Sequence, residues 1–347
     1  MSKIKIAVIF GGYSTEYEVS LHSAFSVLEN LDTEKYDVIP LGITRDGDWY
    51  RYYGDYALLP DNKWINDPDM LVPALISHSR SYKGIIELTE KGNVLTEIDL
   101  VLPILHGKNG EDGTVQGLFE LAGIPVVGCN ALSSAICMDK DRAHKLVSIT
   151  GVEVPKSVLI DEYHKNDALA LTEGLTYPLF VKPVRAGSSF GITKIFRSEE
   201  LVDAVKVAFE HDNEVIIEEN VDGFEVGCAV LGNDELTVGR VDEIELSHGF
   251  FDYTEKYNLI TSNIYMPARI APETEEKIRE TAKIIYKALG CSGFARVDMF
   301  LTPDNRIVFN EVNTIPGFTS HSRYPNMMKG IGLSFSEVLD KLIGLYI

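Results

Sequence analysis

Two strand-like runs in this chain carry polar groups at matching positions. In "RIVFNEVN" (306–313) Glu311 and Asn313 stand two apart, and in "GFARVDMFL" (293–301) Arg296 and Asp298 do the same. Strand side chains alternate faces, so each pair shares one face. The link "TPDNR" (302–306) supplies turn chemistry through Pro303, Asp304 and Asn305. A hairpin symmetric about Asp304 and Asn305 sets Asp298 opposite Glu311 and Arg296 opposite Asn313. Two carboxylates directly across a strand pair repel each other. A cation between them removes that objection. Two carboxylates and an amide are hard oxygen donors of the kind that hold Mg²⁺ shared with phosphates. Arg296 beside them is placed to stabilise charge developing on oxygen. The competing reading is an exposed edge pair, which the apolar neighbours on both strands disfavour.

Four other stretches carry weaker signals. "GGYSTEYEVS" (11–20) follows a strand and opens a helix, so its N–H groups face a possible anion. A dinucleotide fingerprint needs Gly at 13 and 16, where Tyr13 and Glu16 stand, which argues against a nicotinamide enzyme. Glu16 suits an ammonium group instead, and a plain glycine turn remains the alternative. "FVKPVRAGSSFGI" (180–192) sets Lys182 at a strand end before a loop of two Gly and two Ser. It is not the Walker pattern, yet such a loop covers a polyphosphate well. A surface hairpin with a snorkelling lysine is the bland reading.

"EVIIEENVDGFEVG" (214–227) offers Glu218, Glu219 and Glu225 to a base or a ribose, or else is a solvated acidic bend. "LHGKNGEDGTVQG" (105–117) places His106 and Glu111 among four glycines at the carboxyl end of a strand, where open α/β sheets put ligands.

The elements that must position these residues fall into three units. In the first, strands at 5–10, 36–44 and 99–105 alternate with helices at 18–31 and 114–124, the pattern of an open, mainly parallel sheet. Residues 46–98 are polar, poorly periodic and read as an elaborated insertion. The second unit opens with a helix over 138–151, closed by Gly151. Strands follow at 155–160, 178–183 and 191–196, then a helix at 199–212. The third begins with a strand at 214–220 and holds the hairpin and a helix over 272–290, with Pro272 at its start and Gly290 at its end. The expected boundaries are 1–127, 128–213 and 214–347.

A net charge of −20 argues against a nucleic-acid partner. The four cysteines show no Cys-x-x-Cys spacing, which fits reduced thiols rather than zinc or a disulfide framework. With no leader-like segment and no apolar stretch of about 18 residues, a soluble, cytoplasmic protein without a membrane partner is expected.

Six motifs now stand in one order: "HGKNGEDGTVQG", "MDKDRAHK", "VKPVRAGSSFG", "FFDYTEKY", "RVDMF" and "EVNTIPGFTSHS". In that order they resemble the D-alanine–D-alanine ligases and their D-Ala–D-Ser and D-Ala–D-lactate relatives. The resemblance covers nearly the whole chain and is weakest over 46–98. It implies the ATP-grasp fold, α/β with α+β character in the nucleotide-binding part, behind an N-terminal Rossmann-like domain. A homodimer, ATP and Mg²⁺ are implied with it (two ions, Mn²⁺ serving as well).

By resemblance, Lys140, Lys182 and Lys256 reach the ATP phosphates, and Ser188 and Ser189 lie in the covering loop. Glu218, Glu219, Val221 and Glu225 match the adenine and ribose contacts, although many relatives carry lysine where Glu219 stands. Asp298, Glu311 and Asn313 match the metal ligands. Glu16, with Val19 and Ser20 beside it, matches the site of the first D-alanine's ammonium, and His106 a group near its carboxylate. Ser188, Tyr257 and Ser322 match a hydrogen-bonded set, and Arg296 with the Gly317 N–H matches the oxyanion donors. "SHGFFDYTEKYNLITSN" (247–263), with Phe250 in it, is the expected lid. Tyr257 is similar to the residue of ligases that take an amine acceptor. Arg323, where plain D-Ala–D-Ala ligases have an apolar residue, resembles the vancomycin-resistance ligases. Together they imply D-serine as the second substrate, with D-alanine as the alternative. A silent nucleotide sensor and a nicotinamide oxidoreductase are the readings from other classes.

Overall fold

The computed structural model describes residues 3–187, 190–246 and 262–347. Ser188, Ser189, Phe250, Lys256 and Tyr257, and the expected lid except for its last two residues, lie outside the described residues.

The first sheet holds β1 (Ile4–Gly11), β2 (Tyr36–Ile43), β3 (Trp49–Tyr52), β4 (Leu71–Ile76), β5 (Gly84–Thr89), β6 (Gly92–Glu97) and β7 (Leu100–Pro103). Their order is β6-β5-β4-β3-β2-β1-β7. Only β2-β1-β7 is parallel; β3 to β6 add an antiparallel extension. This corrects the expectation of a mainly parallel sheet. A parallel pair needs a long crossover, whereas the link from β2 to β3 is a tight turn closed by Thr44 and Asp48 (2.8 Å). The insertion at 46–98 is therefore sheet, and β6 hides from a periodicity reading because nearly all of it is exposed.

A second sheet contains β8 (Ser157–Asp161), β9 (Leu179–Pro183), β10 (Thr193–Ile195) and β11 (Glu214–Glu219), in the order β10-β9-β11-β8. The boundary expected before residue 214 thus cuts through this sheet. The third sheet starts at β12 (Phe224–Leu231) and adds β13 (Thr237–Leu246), β14 (Ser262–Tyr265), β15 (Phe294–Leu301) and β16 (Ile307–Asn313). Its order is β14-β13-β12-β15-β16. The helix expected over 138–151 is Lys140–Ser148, and a helix the sequence pattern did not give, Ala131–Met138, precedes it across Asp139. Asp139 is extended (φ −90°, ψ 101°) and caps the second helix by accepting the Arg142 N–H.

One hydrophobic core joins the two ends of the chain. Ile6, Val8 and Phe10 of β1 pack with Phe294 and Phe318 and with the helices Arg323–Lys329 and Phe335–Gly344. The Asp340 carboxylate also takes hydrogen bonds from Lys35 (2.6 Å) and Tyr36 (2.9 Å). This junction brings the first sheet's carboxyl end against the loop that follows β16.

Candidate active site

The hairpin delivers the pairing expected of it. Arg296 lies opposite Asn313 and Asp298 opposite Glu311. Beyond them the register shifts: Met299 pairs with Phe309, leaving Asn310 as the extra residue of a β-bulge. The turn is therefore not symmetric about Asp304 and Asn305. Asn305 is left-handed (φ 62°) and the Thr302 N–H bonds the Arg306 carbonyl at 3.0 Å. The Asn310 carbonyl accepts from His144 Nε2 at 2.8 Å.

A cavity of about 660 Å³ opens between the three units. Of the expected residues, Glu16, Val19, His106, Lys140, Arg296, Glu311, Asn313, Gly317, Ser322 and Arg323 line it. Glu16 sits where two loops converge. A Cβ on Gly107 would collide with its carboxylate, and one on Gly187 would lie 3.2 Å from Oε2. Lys140 Nζ donates to the Ala186 carbonyl at 3.0 Å.

Asp298, 1% exposed, is surrounded by donors. Arg296 grips both its oxygens from Nε (2.8 and 3.1 Å) and one from Nη2 (2.7 Å), and Asn313 Nδ2 donates at 2.9 Å. Arg323 stands 3.4 Å away on the other side. Its guanidinium holds Asp242 with Nε (2.7 Å) and Nη2 (2.8 Å) and Glu225 with Nη1 (2.8 Å). Gly227 gives this cage its room, since any Cβ there would strike the guanidinium. Glu225, expected at a ribose, is committed to Arg323 in this arrangement.

Several expected residues are placed differently. Ser20 is fully buried outside the cavity lining, accepting the Gly11 N–H at 2.8 Å and donating to the Ile104 carbonyl. It braces the glycine turn after β1 and does not face a substrate. His106 has both ring nitrogens engaged, with the Ile315 carbonyl (2.8 Å) and Ser23 Oγ (3.1 Å), so neither is left for a carboxylate. Glu219 accepts the Thr176 N–H at 2.9 Å, which ties its side chain to the loop before β9, and Val221 follows just after β11. Lys182 pairs with Glu218 at 2.5 Å. Burial, the largest single influence, pushes the Glu218 carboxyl up, but the Lys182 charge and hydrogen bond together with the His144 and Lys140 charges outweigh it and hold it below the usual range.

Sequence reading gave no role to Ser23, Asp242 or His144 and only a loop position to Glu111. Ser23 lies two helical turns past Glu16 on the same helix face, and that spacing was its signal. Asp242 gave none, because its partner Arg323 is 81 residues away. Burial first, and the Glu16 charge second, push the Glu111 carboxyl up to about 8 against two backbone N–H donors.

That shift has a consequence for stability. The folded chain keeps a proton on Glu111 up to about 8, against an ordinary value of 4.5. Burial lowers His106 to about 4 from 6.5. Between 4.5 and 6.5 the two differences oppose each other; from 6.5 to 8 only Glu111 acts, and stability falls as pH rises. The loss over that window is about 2 kcal/mol. Urea unfolding of wild type and Glu111→Gln at both ends should show it: the variant, whatever its constant offset, loses this slope. An unchanged slope would contradict the assignment.

The family models described as D-ala D-ala ligase N-terminus and D-ala D-ala ligase C-terminus match residues 5–129 and 146–344. The chain belongs to the D-alanine–D-alanine ligase family. Among solved structures it is similar to the VanG D-Ala:D-Ser ligase from Enterococcus faecalis, at 66% identity and TM-score 0.94 over all of both chains. It is also 46% identical to the vancomycin B-type resistance protein VanB of Enterococcus faecalis, covering 100% of this chain and 99% of VanB. A D-alanine–D-alanine ligase of Caldicellulosiruptor bescii is likewise 46% identical, with 100% and 96% covered. The ATP-grasp expectation stands.

An ATP-dependent ligase of this family uses ATP and a divalent metal, and the residues present fit both. Glu218 Oε1 is buried with no hydrogen-bond partner among the described residues, 3.7 Å from His144 Nδ1. Such an oxygen is ready for a donor brought by a ligand. Glu311 and Asn313 line the cavity beside the buried Asp298, an all-oxygen set suited to a hard cation. No helix among the described residues is long and apolar enough to cross a membrane.

Proposed function

We propose that this ligase joins D-alanine to D-serine in the cytoplasm, for a modified cell-wall precursor of the vancomycin-resistance type. Arg323 carries the reading. It lines the cavity beside Ser322, and three of its N–H donors are spent on Asp242 and Glu225. The guanidinium is thereby fixed in position, with remaining donor capacity that suits a hydroxyl-bearing acceptor. The 66% identity with a D-Ala:D-Ser ligase supports it.

Glu16 meets the ammonium of the first D-alanine. The D-alanine carboxylate oxygen takes the terminal phosphoryl group of ATP, giving ADP and an acyl phosphate. Lys140 and Lys182 hold the phosphates. Mg²⁺ on Asp298, Glu311 and Asn313 supplies charge neutralisation there when bound. The second amine, once deprotonated, adds to the acyl carbon and forms the C–N bond, and the tetrahedral intermediate then expels phosphate as the C–O bond breaks. Arg296 and the Gly317 N–H meet the oxyanion.

With ATP, Mg²⁺, D-Ala and an equal concentration of D-Ser, D-Ala–D-Ser should dominate the dipeptide product. A mixture dominated by D-Ala–D-Ala would reject the serine reading and leave the ordinary cell-wall ligase.

A further inference from the structure

The segment after β16 runs Thr314-Ile315-Pro316-Gly317-Phe318, and its two ends are pinned by the N-terminal unit. The Ile315 N–H donates to Glu111 Oε1 at 2.9 Å, and the Ile315 carbonyl meets His106 Nδ1 at 2.8 Å. The Phe318 N–H donates to Ser23 Oγ at 3.2 Å, and Ser23 Oγ meets His106 Nε2 at 3.1 Å. Glu111 is in turn tied to its own loop through the Gly107 N–H at 3.0 Å. Pro316 has no N–H to give, and the Gly317 N–H has no hydrogen-bond partner among the described residues.

The proton positions in this network follow from its partners. The Ile315 carbonyl can only accept, so Nδ1 carries the hydrogen. Ser23 Oγ accepts from Phe318, and among the described residues Nε2 is the acceptor within reach of its own hydrogen, so Nε2 is left bare. Every donor finds an acceptor only if the imidazole is neutral. Ser23 is fully buried and His106 is 5% exposed. Burial also lowers the imidazole's affinity for a second proton, in keeping with this count.

We propose that His106, Ser23 and Glu111 form a clasp that fixes the height of the Gly317 N–H, with neutral His106 as a positioning residue. The clasp rests on the reading of Gly317 as an oxyanion donor. It reaches the reaction from residues 23, 106 and 111, which hold the loop's backbone on either side of Gly317, a residue that lines the cavity. A donor displaced by about 1 Å costs on the order of 100-fold in rate.

The test uses the full-length enzyme and four variants, Ser23→Ala, His106→Gln, His106→Asn and His106→Ala. Ser23→Ala and His106→Gln should lower kcat for dipeptide formation roughly 10- to 100-fold, with the KM for ATP and for the first D-alanine changed less than about 3-fold. His106→Asn, whose amide N–H can replace Nδ1–H towards Ile315, should recover most of the loss. In Ser23→Ala the binding of a phosphinate transition-state analogue should weaken by the same factor as kcat, while ADP binding holds. The clasp is overturned if His106→Asn raises the KM for D-alanine as far as His106→Ala does. It is overturned too if His106→Asn removes an ionisation from the kcat/KM profile. Ser23→Ala deletes one buried oxygen and carries the test alone if a His106 variant does not fold. Failure of the wild type to form dipeptide would instead reject the ligase reading itself.

Discussion

Glu311→Gln is expected to silence ADP formation by at least about 1000-fold, roughly 4 kcal/mol of lost transition-state stabilisation, with the fold retained. Glu311 faces the cavity from β16 and is half-buried, so trading one oxygen for an amide leaves the hairpin standing. The position directly opposite is different. Asp298 is the anion on which the Arg296 and Arg323 guanidiniums converge, so Asp298→Asn removes charge from beneath both. It should abolish turnover equally and, unlike Glu311→Gln, lower the melting temperature as well, since stranding a buried charge is costly. A coupled ADP assay and a thermal melt separate the two variants. Near-normal turnover by either would remove the acidic pair from the phosphate site.

The second large effect concerns Arg323. Replacing it by Leu, the apolar choice of plain D-Ala–D-Ala ligases, looks like a simple exchange of acceptor specificity. The cage says otherwise. Asp242 is fully buried and loses both its charged hydrogen bonds, while Glu225 and Asp298 lose a neighbouring cation. Removing one partner from such a cluster costs about 3–5 kcal/mol. Arg323→Leu should therefore unfold much more readily than wild type, and adding Asp242→Asn should restore a good part of the loss. A double-mutant cycle in urea measures this coupling. Strict additivity would mean that Arg323 acts on the acceptor alone.

Much of the site could be read from residue order because strand alternation is local physics. Asp298 and Glu311 were matched across one turn with no other information. The bulge at Asn310 escaped notice, since it depends on a left-handed Asn305 that spacing does not encode. The strand at 214–220 reads as the start of the third unit, yet β11 pairs in the second sheet, since "EVIIEE" suits either side of the boundary. The acid cage and the clasp depend on contacts between segments far apart in the chain, where one sequence offers residue types but no pairing. Arg323 was singled out for what it might offer an acceptor, and three of its donors turn out to serve acids from β12 and β13. His106 lines the cavity, but both its ring nitrogens are held by Ile315 and Ser23, and a histidine's role depends on what its two nitrogens already hold.

The shared core of the two chain ends bears on how the molecule comes into being. Ribosomes make β1 well before the helix Phe335–Gly344, at about 5–20 residues per second. Val338, Leu342 and Ile343 pack into the same cluster as Ile6 and Val8. Leu21, Ala24 and Val27 of the helix Tyr17–Asn30 cover part of β1 early in translation, but the rest of that cluster stays open until the helix Phe335–Gly344 arrives. The N-terminal core is thus completed by a segment made long after it, and losing the helix Phe335–Gly344 would reopen the cluster around Ile6 and Val8.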